Sequence, residues 1–278
     1  MRKTIILLFA ALGLLLTGNV SNGQNSRNRV SKEFPIRGVR NLEVSNGIVI
    51  DLVQGSDEGV VVRTIDSELP RVTVRQEGTT LYIGRGNRKK WASFKKQKPV
   101  VVTVTVPTIE QIKLSGASEL RSVGRFQTDR LTIQLSGASE IKSLNAVTRS
   151  CIAVLSGASE MEAMLSGDLS LIASGASEAD LNIGTASVAV VKASGASELE
   201  FKGAVQKLKA TIVGASDLDA KHLRSASVEV NLAGASEASV FATDNIAYSL
   251  SGASELDIYG NPRILAAEVT GASEVRNR

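Results

Sequence analysis

The chain has 278 residues, of which 43% are hydrophobic and 4% aromatic, with 32 Lys and Arg against 28 Asp and Glu, one His and one Cys. A single cysteine excludes an internal disulfide framework, so stability must come from packing, and a chain of this length can bury a large shared core. The formal charge of +4 is misleading, because removing Arg2 and Lys3 leaves 30 basic against 28 acidic residues.

Residues 1–23 read as a secretory signal. Arg2-Lys3 precedes an apolar run from Ile5 to Leu16, and Ser21 and Gly23 supply the small residues expected before a cut ahead of Gln24. The run is about 12 residues, short of the roughly 20 needed to span a bilayer; an uncleaved anchor is the alternative. Leu15-Leu16-Thr17-Gly18 begins like a lipoprotein signal, but Asn19 stands where the acylated Cys would be. The expectation is an exported protein of the periplasm, the outer-membrane surface or the medium, not a lipoprotein, with no transmembrane segment in the mature chain.

After a linker at 24–35, residues 36–110 read as β-rich. Ile48 to Val53, Val60 to Val62, Arg71 to Val74, Leu81 to Ile83 and Val100 to Val106 are candidate strands, and Pro107 ends the last. No helix is expected. Residues 24–110 hold 15 basic and 9 acidic residues, whereas 111–278 hold 15 and 19. Much of the basic excess lies in one stretch between two strands: Arg85, Arg88, Lys89, Lys90, Lys95, Lys96 and Lys98, with Trp91 and Phe94 interleaved and no acid. One reading is a solvated hairpin tip that blocks edge pairing. The other is a binding loop for an anionic glycan, for lipopolysaccharide phosphates or for a surface protein. Export argues against nucleic acid as the partner.

The rest of the chain is a repeat. Gly-Ala-Ser-acid occurs nine times, with its glycines at 116, 137, 157, 175, 195, 214, 234, 252 and 271. The spacings are 21, 20, 18, 20, 19, 20, 18 and 19 residues. Two residues before each glycine stands an apolar residue, from Leu114 to Val269, and the residue four before is mostly apolar too (Ile112, Val191), with polar residues such as Lys113 and Gln134 between them. That alternation marks a strand with one buried face. The residue after the acid is apolar again, as in Leu120, Ile141 and Met161. Each unit is therefore strand, tight corner, strand and looser turn. A unit of about 20 residues cannot bury its apolar side alone, so the units are expected to stack as a parallel β-helix over 111–278. Gly suits the positive φ of the corner, Ala is expected to point inward where only a methyl fits, and Ser is expected to bond its own backbone. Arg276 and Arg278 are placed to keep the last coil from sticking end to end. Cys151 falls in register with Leu131 and Leu208 and is expected in the core.

Stacking would place Glu119, Glu140, Glu160, Glu178, Glu198, Asp217, Glu237, Glu255 and Glu274 in one ladder. At ~4.8 Å, exposed neighbours repel by about 0.9 kcal/mol in bulk water, so salt, backbone donors, Lys or Arg, or a cation must relieve them. A second acid two residues on shares the strand face in Glu160/Glu162, Glu178/Asp180, Glu198/Glu200, Asp217/Asp219 and Glu255/Asp257. The first four pairs form a candidate Ca²⁺ site. The alternative is a purely structural corner, and the Gly-Gly-x-Gly-x-Asp of calcium β-rolls is missing. No other cofactor is indicated. Catalysis has little to work with: His222, the only histidine, has no Ser or Cys nucleophile signature around it. Acids repeated along an array also differ from the concentrated acids of the polysaccharide lyases built on β-helices.

Asn46-Gly47-Ile48 with its following strand and Gln54-Gly55, then Leu81-Tyr82-Ile83, Val102 to Pro107, the Ser-Gly-Ala-Ser corners and Tyr259-Gly260-Asn261-Pro262 together resemble the family called "putative auto-transporter adhesin, head GIN domain". The resemblance covers roughly residues 36–276. It implies an all-β, right-handed, single-stranded parallel β-helix in an exported protein, with no catalytic residues to carry over. Val213 and Ala233 replace the Ser before Gly, and Asp217 replaces Glu, without disturbing the pattern. The combined expectation is a non-enzymatic, adhesin-head-like scaffold. The alternatives are a calcium- or anionic-glycan-binding envelope protein or a polysaccharide-processing enzyme. The sequence does not indicate an oligomeric state.

Overall fold

The computed structural model describes residues 29–86 and 99–278. The signal-like segment 1–23 and most of the basic stretch lie outside the described residues.

Strand β1 (Arg29–Pro35) comes first, and β2 (Asn41–Ser45) and β3 (Val49–Gln54) make the first coil. An insertion follows: β4 (Gly59–Ile65), one 3₁₀ turn at Leu69–Arg71, β5 (Val72–Glu77), β6 (Thr80–Arg85) and β7 (Val101–Val106). Coiling resumes with β8 (Gln111–Ser115), β9 (Glu119–Gln127) and β10 (Arg130–Leu135). Long bent strands then run from each corner acid toward the next corner: β11 (Glu140–Leu155), β12 (Glu160–Gly175), β13 (Glu178–Gly195), β14 (Glu198–Gly214), β15 (Asp217–Gly234) and β16 (Glu237–Gly252). The last coil comprises β17 (Glu255–Gly260), β18 (Arg263–Val269) and β19 (Glu274–Asn277).

Successive coils pair in parallel, with corner matched to corner. The looser turn of each coil is a register shift inside the long strand, as between Leu165 and Leu169 and between Ile183 and Ala186. The result is a parallel β-solenoid with coils of about 20 residues, as the repeat spacing predicts. Its interior is a set of columns, such as Leu131, Cys151, Leu169, Ala189 and Leu208, all at most 3% exposed. Fully burying a Leu or Ile contributes roughly 1.5–3 kcal/mol, and each coil supplies several.

The N-terminal region belongs to the same stack. β2 and β3 pair in parallel with β8 and β9 on one side and with β6 and β7 on the other. Asn46 and Gly47, both at positive φ, form the first corner, and Ile48 occupies the buried place that Ser118 takes in the next coil. β4 lies antiparallel on β7, β1 on β4, and β5 on β6, so antiparallel strands cover this end. The other end is open. Every residue of β18 is exposed, including Ile264, Leu265 and Val269 at 46–58%. Arg276 and Arg278 are bound to acids there, Arg276 bridging Glu255 and Glu274 and Arg278 reaching Asp257 at 3.2 Å.

Candidate functional site

The corner is built differently from the sequence-based expectation in one respect. All nine corner alanines are exposed, and it is the serine that points inward: Ser118, Ser139, Ser159, Ser177, Ser197, Ser216, Ser236 and Ser254 are at most 2% exposed. The cause is local hydrogen bonding. In each of the nine corners the serine hydroxyl donates to the carbonyl three residues earlier, for example Ser159 to Ser156 at 2.6 Å and Ser177 to Ser174 at 2.8 Å. A buried carbonyl left unpaired costs about 1–3 kcal/mol, so serine satisfies the turn where alanine could not. From Ala158 onward the alanine N–H meanwhile donates to the glycine carbonyl of the coil before, as in Ala196 to Gly175 at 2.8 Å. The outer corner is therefore a strip of glycine backbone and alanine methyls.

Beside that strip the acid ladder forms as predicted, with Glu119, Glu140, Glu160, Glu178, Glu198, Asp217, Glu237, Glu255 and Glu274 in unbroken register. Its ends are ion-paired and its middle is not. Lys142 lies 3.1 Å from Glu119 and 3.8 Å from Glu140, and Arg276 closes the far end. Burial, together with the charges of Glu160 and Glu119, holds the Glu140 carboxyl above its ordinary value despite Lys142. Among the described residues, Glu160, Glu178, Glu198, Asp217 and Glu237 make no ion pair. These five consecutive carboxylates form a strip about 19 Å long at one strand spacing per step.

The second acid row behaves differently. Glu162, Asp180, Glu200 and Asp219 are in register, but Lys202 bonds Glu200 at 2.7 Å and approaches Asp180 at 3.9 Å, while Lys221 holds Asp219. Hydrogen bonds to Glu200 and Asp219 keep the Lys202 and Lys221 ammonium groups above their ordinary values. Side chains perpendicular to a sheet stand one strand spacing apart and do not converge. Accordingly, no three His, Cys, Asp or Glu side chains among the described residues gather into a group able to hold a metal ion. What this face offers is a diffuse line of negative charge. Glu162 and Asp180 also border a hollow of about 720 Å³, together with Arg125, Asn145, Asn182 and Lys202, where register shifts between β9 and β11 open the surface.

Of the basic stretch, only Arg85 is described, and it corrects the expectation of a loop cation. It is the last residue of β6, 4% exposed, with its guanidinium on Glu68, which Arg71 also bonds at 2.8 Å. Burial alone would raise the Glu68 carboxyl, but Arg85 and Arg71 hold it below the usual carboxylate range. Alternation along β6 turns Arg85 inward, a signal legible once Leu81 and Ile83 are assigned to the buried face. Arg88, Lys89, Lys90, Trp91, Lys95, Lys96 and Lys98 lie outside the described residues. His222 is exposed, opposite Lys202. Cys151 is buried in the core as expected, and its thiol is pushed up to about 12 by burial. No helix among the described residues is long and apolar enough to cross a membrane.

Solved structures share this fold. They include a "putative adhesin" from Parabacteroides merdae, at 16% identity and a TM-score of 0.67, with 91% of this chain and 97% of that one covered. Another "putative adhesin", from Parabacteroides distasonis, shows 19% identity, a TM-score of 0.67 and coverage of 91% and 98%. A "putative lipid binding protein" from the same species shows 18% identity, a TM-score of 0.60 and coverage of 91% and 98%. At such identities the likeness is one of fold. No curated protein matches the chain. The profile of one family, however, matches residues 40–168 and again 146–262, spanning the first coil, the insertion and the first eight of the nine corners. The chain belongs to the "Putative auto-transporter adhesin, head GIN domain" family.

Proposed function

We propose that this protein is an exported, non-enzymatic surface scaffold of the adhesin-head kind, acting by multivalent contact along a rigid stack of coils. The observation that carries the reading is in-register repetition: one side-chain chemistry recurs at every strand spacing from corner to corner along the stack. Weak sites repeated on a rigid array gain avidity when the ligand repeats as well. Residues 1–23 would direct export, and Asn19 in place of the acylated Cys would leave the protein without a lipid anchor.

Two groups of charged side chains could carry the contact. The cations from Arg88 to Lys98, with Trp91, suit an anionic glycan, lipopolysaccharide or an acidic surface protein; Arg85 is excluded because its charge is committed to Glu68. The unpaired ladder acids suit a basic surface protein or loosely held Ca²⁺. Replacing Lys89, Lys90, Lys95 and Lys96 by Ala should weaken binding to immobilised lipopolysaccharide and reduce its salt sensitivity. Unchanged binding would remove these cations from the reading, and absence of binding to any surface would favour a structural role in the envelope.

A further inference from the structure

A groove of about 540 Å³ crosses the outside of the sheet before the corner, from β5 over β6, β2, β8 and β10 to the second half of β11. Small-ligand sites span roughly 300–1,000 Å³. Six strands at their usual spacing make this groove about 24 Å long. Two columns in register form it. Arg75, Tyr82, Glu43, Lys113, Gln134 and Val154 stand opposite one another in succession as a wall of long side chains. Two positions along lie Thr73, Gly84, Ser45, Ser115, Ser136 and Ser156, a floor of short ones. A Cβ on Gly84 would come within 3.0 Å of the Ser45 hydroxyl oxygen, so the floor is already tight at that rung.

The chemistry of the floor narrows the ligand. Ser115, Ser136 and Ser156 direct their hydroxyl protons to the carbonyls of Val44, Leu114 and Leu135 of the neighbouring strands, at 3.2–3.4 Å. What they turn to the groove is the acceptor side of each oxygen. The wall supplies donors, from the Gln134 amide, the Lys113 ammonium and the Arg75 guanidinium, which lies 4.6 Å over the Tyr82 ring. Its charges are already matched, Lys113 with Glu43 at 3.0 Å and Arg75 with Glu77. An inorganic anion needs donors and a net positive field, and here the floor accepts while the wall is neutral. An apolar peptide side chain finds no closed pocket. A hydroxyl group both donates and accepts, so it can give its proton to a floor serine and receive one from the wall. A chain of such groups can repeat this at every rung.

We propose that this groove binds a neutral oligosaccharide running across the strands, with its hydroxyls between the serine floor and the polar wall. The inference rests on the surface-scaffold reading for its purpose, but it uses neither the basic stretch nor the acid ladder. The groove ends on Val154; on the next strand Ile172, opposite Val154 and 42% exposed, lies just beyond that end and offers an apolar contact to the C–H face of a last ring.

The test is calorimetric titration of the purified protein with neutral hexasaccharides (maltohexaose, mannohexaose, laminarihexaose and chitohexaose), with dextran sulfate as the anionic comparison. The S115V/S136V double variant fills the floor and removes two acceptors. Val213 occupies the same repeat position in its own coil, so the corner tolerates valine there. At least one hexasaccharide is expected to bind, and the double variant to lose about tenfold in affinity, the scale of one or two hydrogen bonds, with an unchanged circular dichroism melt. Should the double variant melt early, Gln134→Ala on the exposed wall takes its place and must show the same direction. The quadruple lysine variant of the basic stretch should bind hexasaccharide as the parent does. Binding of dextran sulfate alone, or hexasaccharide binding indifferent to both floor and wall variants, overturns the groove and leaves the surface reading standing. Loss of hexasaccharide binding in the quadruple lysine variant would move the site to the basic stretch and overturn the groove as well.

Discussion

Gly195→Ala compared with Gly124→Ala separates what the corner glycines owe to backbone conformation from what they owe to stacking. Both residues have positive φ, +90° and +84°. A left-handed conformation costs a residue with a Cβ about 1–2 kcal/mol, and at Gly124 nothing lies within 4 Å of the added carbon, so that is the whole expected effect. At Gly195 the new carbon would sit 2.6 Å from the Gly175 carbonyl oxygen and 3.1 Å from its nitrogen. That carbonyl accepts the Ala196 N–H at 2.8 Å, and coils forced apart would weaken this bond. Overpacking adds about 1–3 kcal/mol and the weakened bond about 1 kcal/mol more. Gly195→Ala is thus expected to cost about 3–6 kcal/mol against about 1–2 kcal/mol for Gly124→Ala. Urea unfolding followed by circular dichroism reads both, with transition midpoints compared because repeat arrays can depart from two-state behaviour. Equal losses for the two variants would refute the stacking argument.

Other perturbations follow from the buried and charged groups. Glu68→Gln should cost about 3–5 kcal/mol by leaving Arg85 with a neutral partner in the interior, read from the urea midpoint at neutral pH. Because the Glu68 carboxyl is depressed in the folded state, its contribution is present above its ordinary value of 4.5 and lost as pH falls through the lower folded value, so the variant should show a flatter acid limb. Glu140 has the opposite sign: its raised folded value means that protonation favours the folded state as pH falls toward 4.5, and Glu140→Gln should stabilise the protein at neutral pH by thermal melt. Glu178→Gln and Glu198→Gln, each between two ladder acids, should each stabilise by at most about 2 kcal/mol at low salt, an effect that disappears near 1 M salt, where the Debye length is about 3 Å. The Cys151 thiol, pushed up to about 12 by burial, should resist thiol reagents at pH 8 until the chain is unfolded; immediate labelling would place it outside the core.

Periodicity carried most of the fold. Two-residue alternation around a fixed glycine determines which side chains face inward, and register then follows because matching corners is the one alignment that buries every column. The same logic made the acid ladder legible. It failed at the corner, where Ala and Ser compete for the interior and residue size misleads: the serine is drawn in by an unsatisfied carbonyl, which only the three-dimensional turn reveals. It failed again at Arg85, where composition grouped a buried strand residue with the cations that follow it. The groove was not legible at all. Its wall joins Arg75 and Tyr82 of the insertion to Lys113 and Gln134 of the repeats, and those rungs meet only because β6 returns to pair with β2. Pairing between segments about 40 residues apart has no local signature in the chain.

The central claim is that this solenoid binds a surface by repetition. The most direct measurement is binding of the purified protein to immobilised glycans, lipopolysaccharide and matrix proteins at graded ligand density, in calcium and in chelator, with a parallel assay for released products. The account predicts binding that strengthens by about 10²–10⁴ as ligands are crowded, with no ligand consumed. Binding that is independent of density and accompanied by turnover, or no binding at any density in either condition, would contradict it.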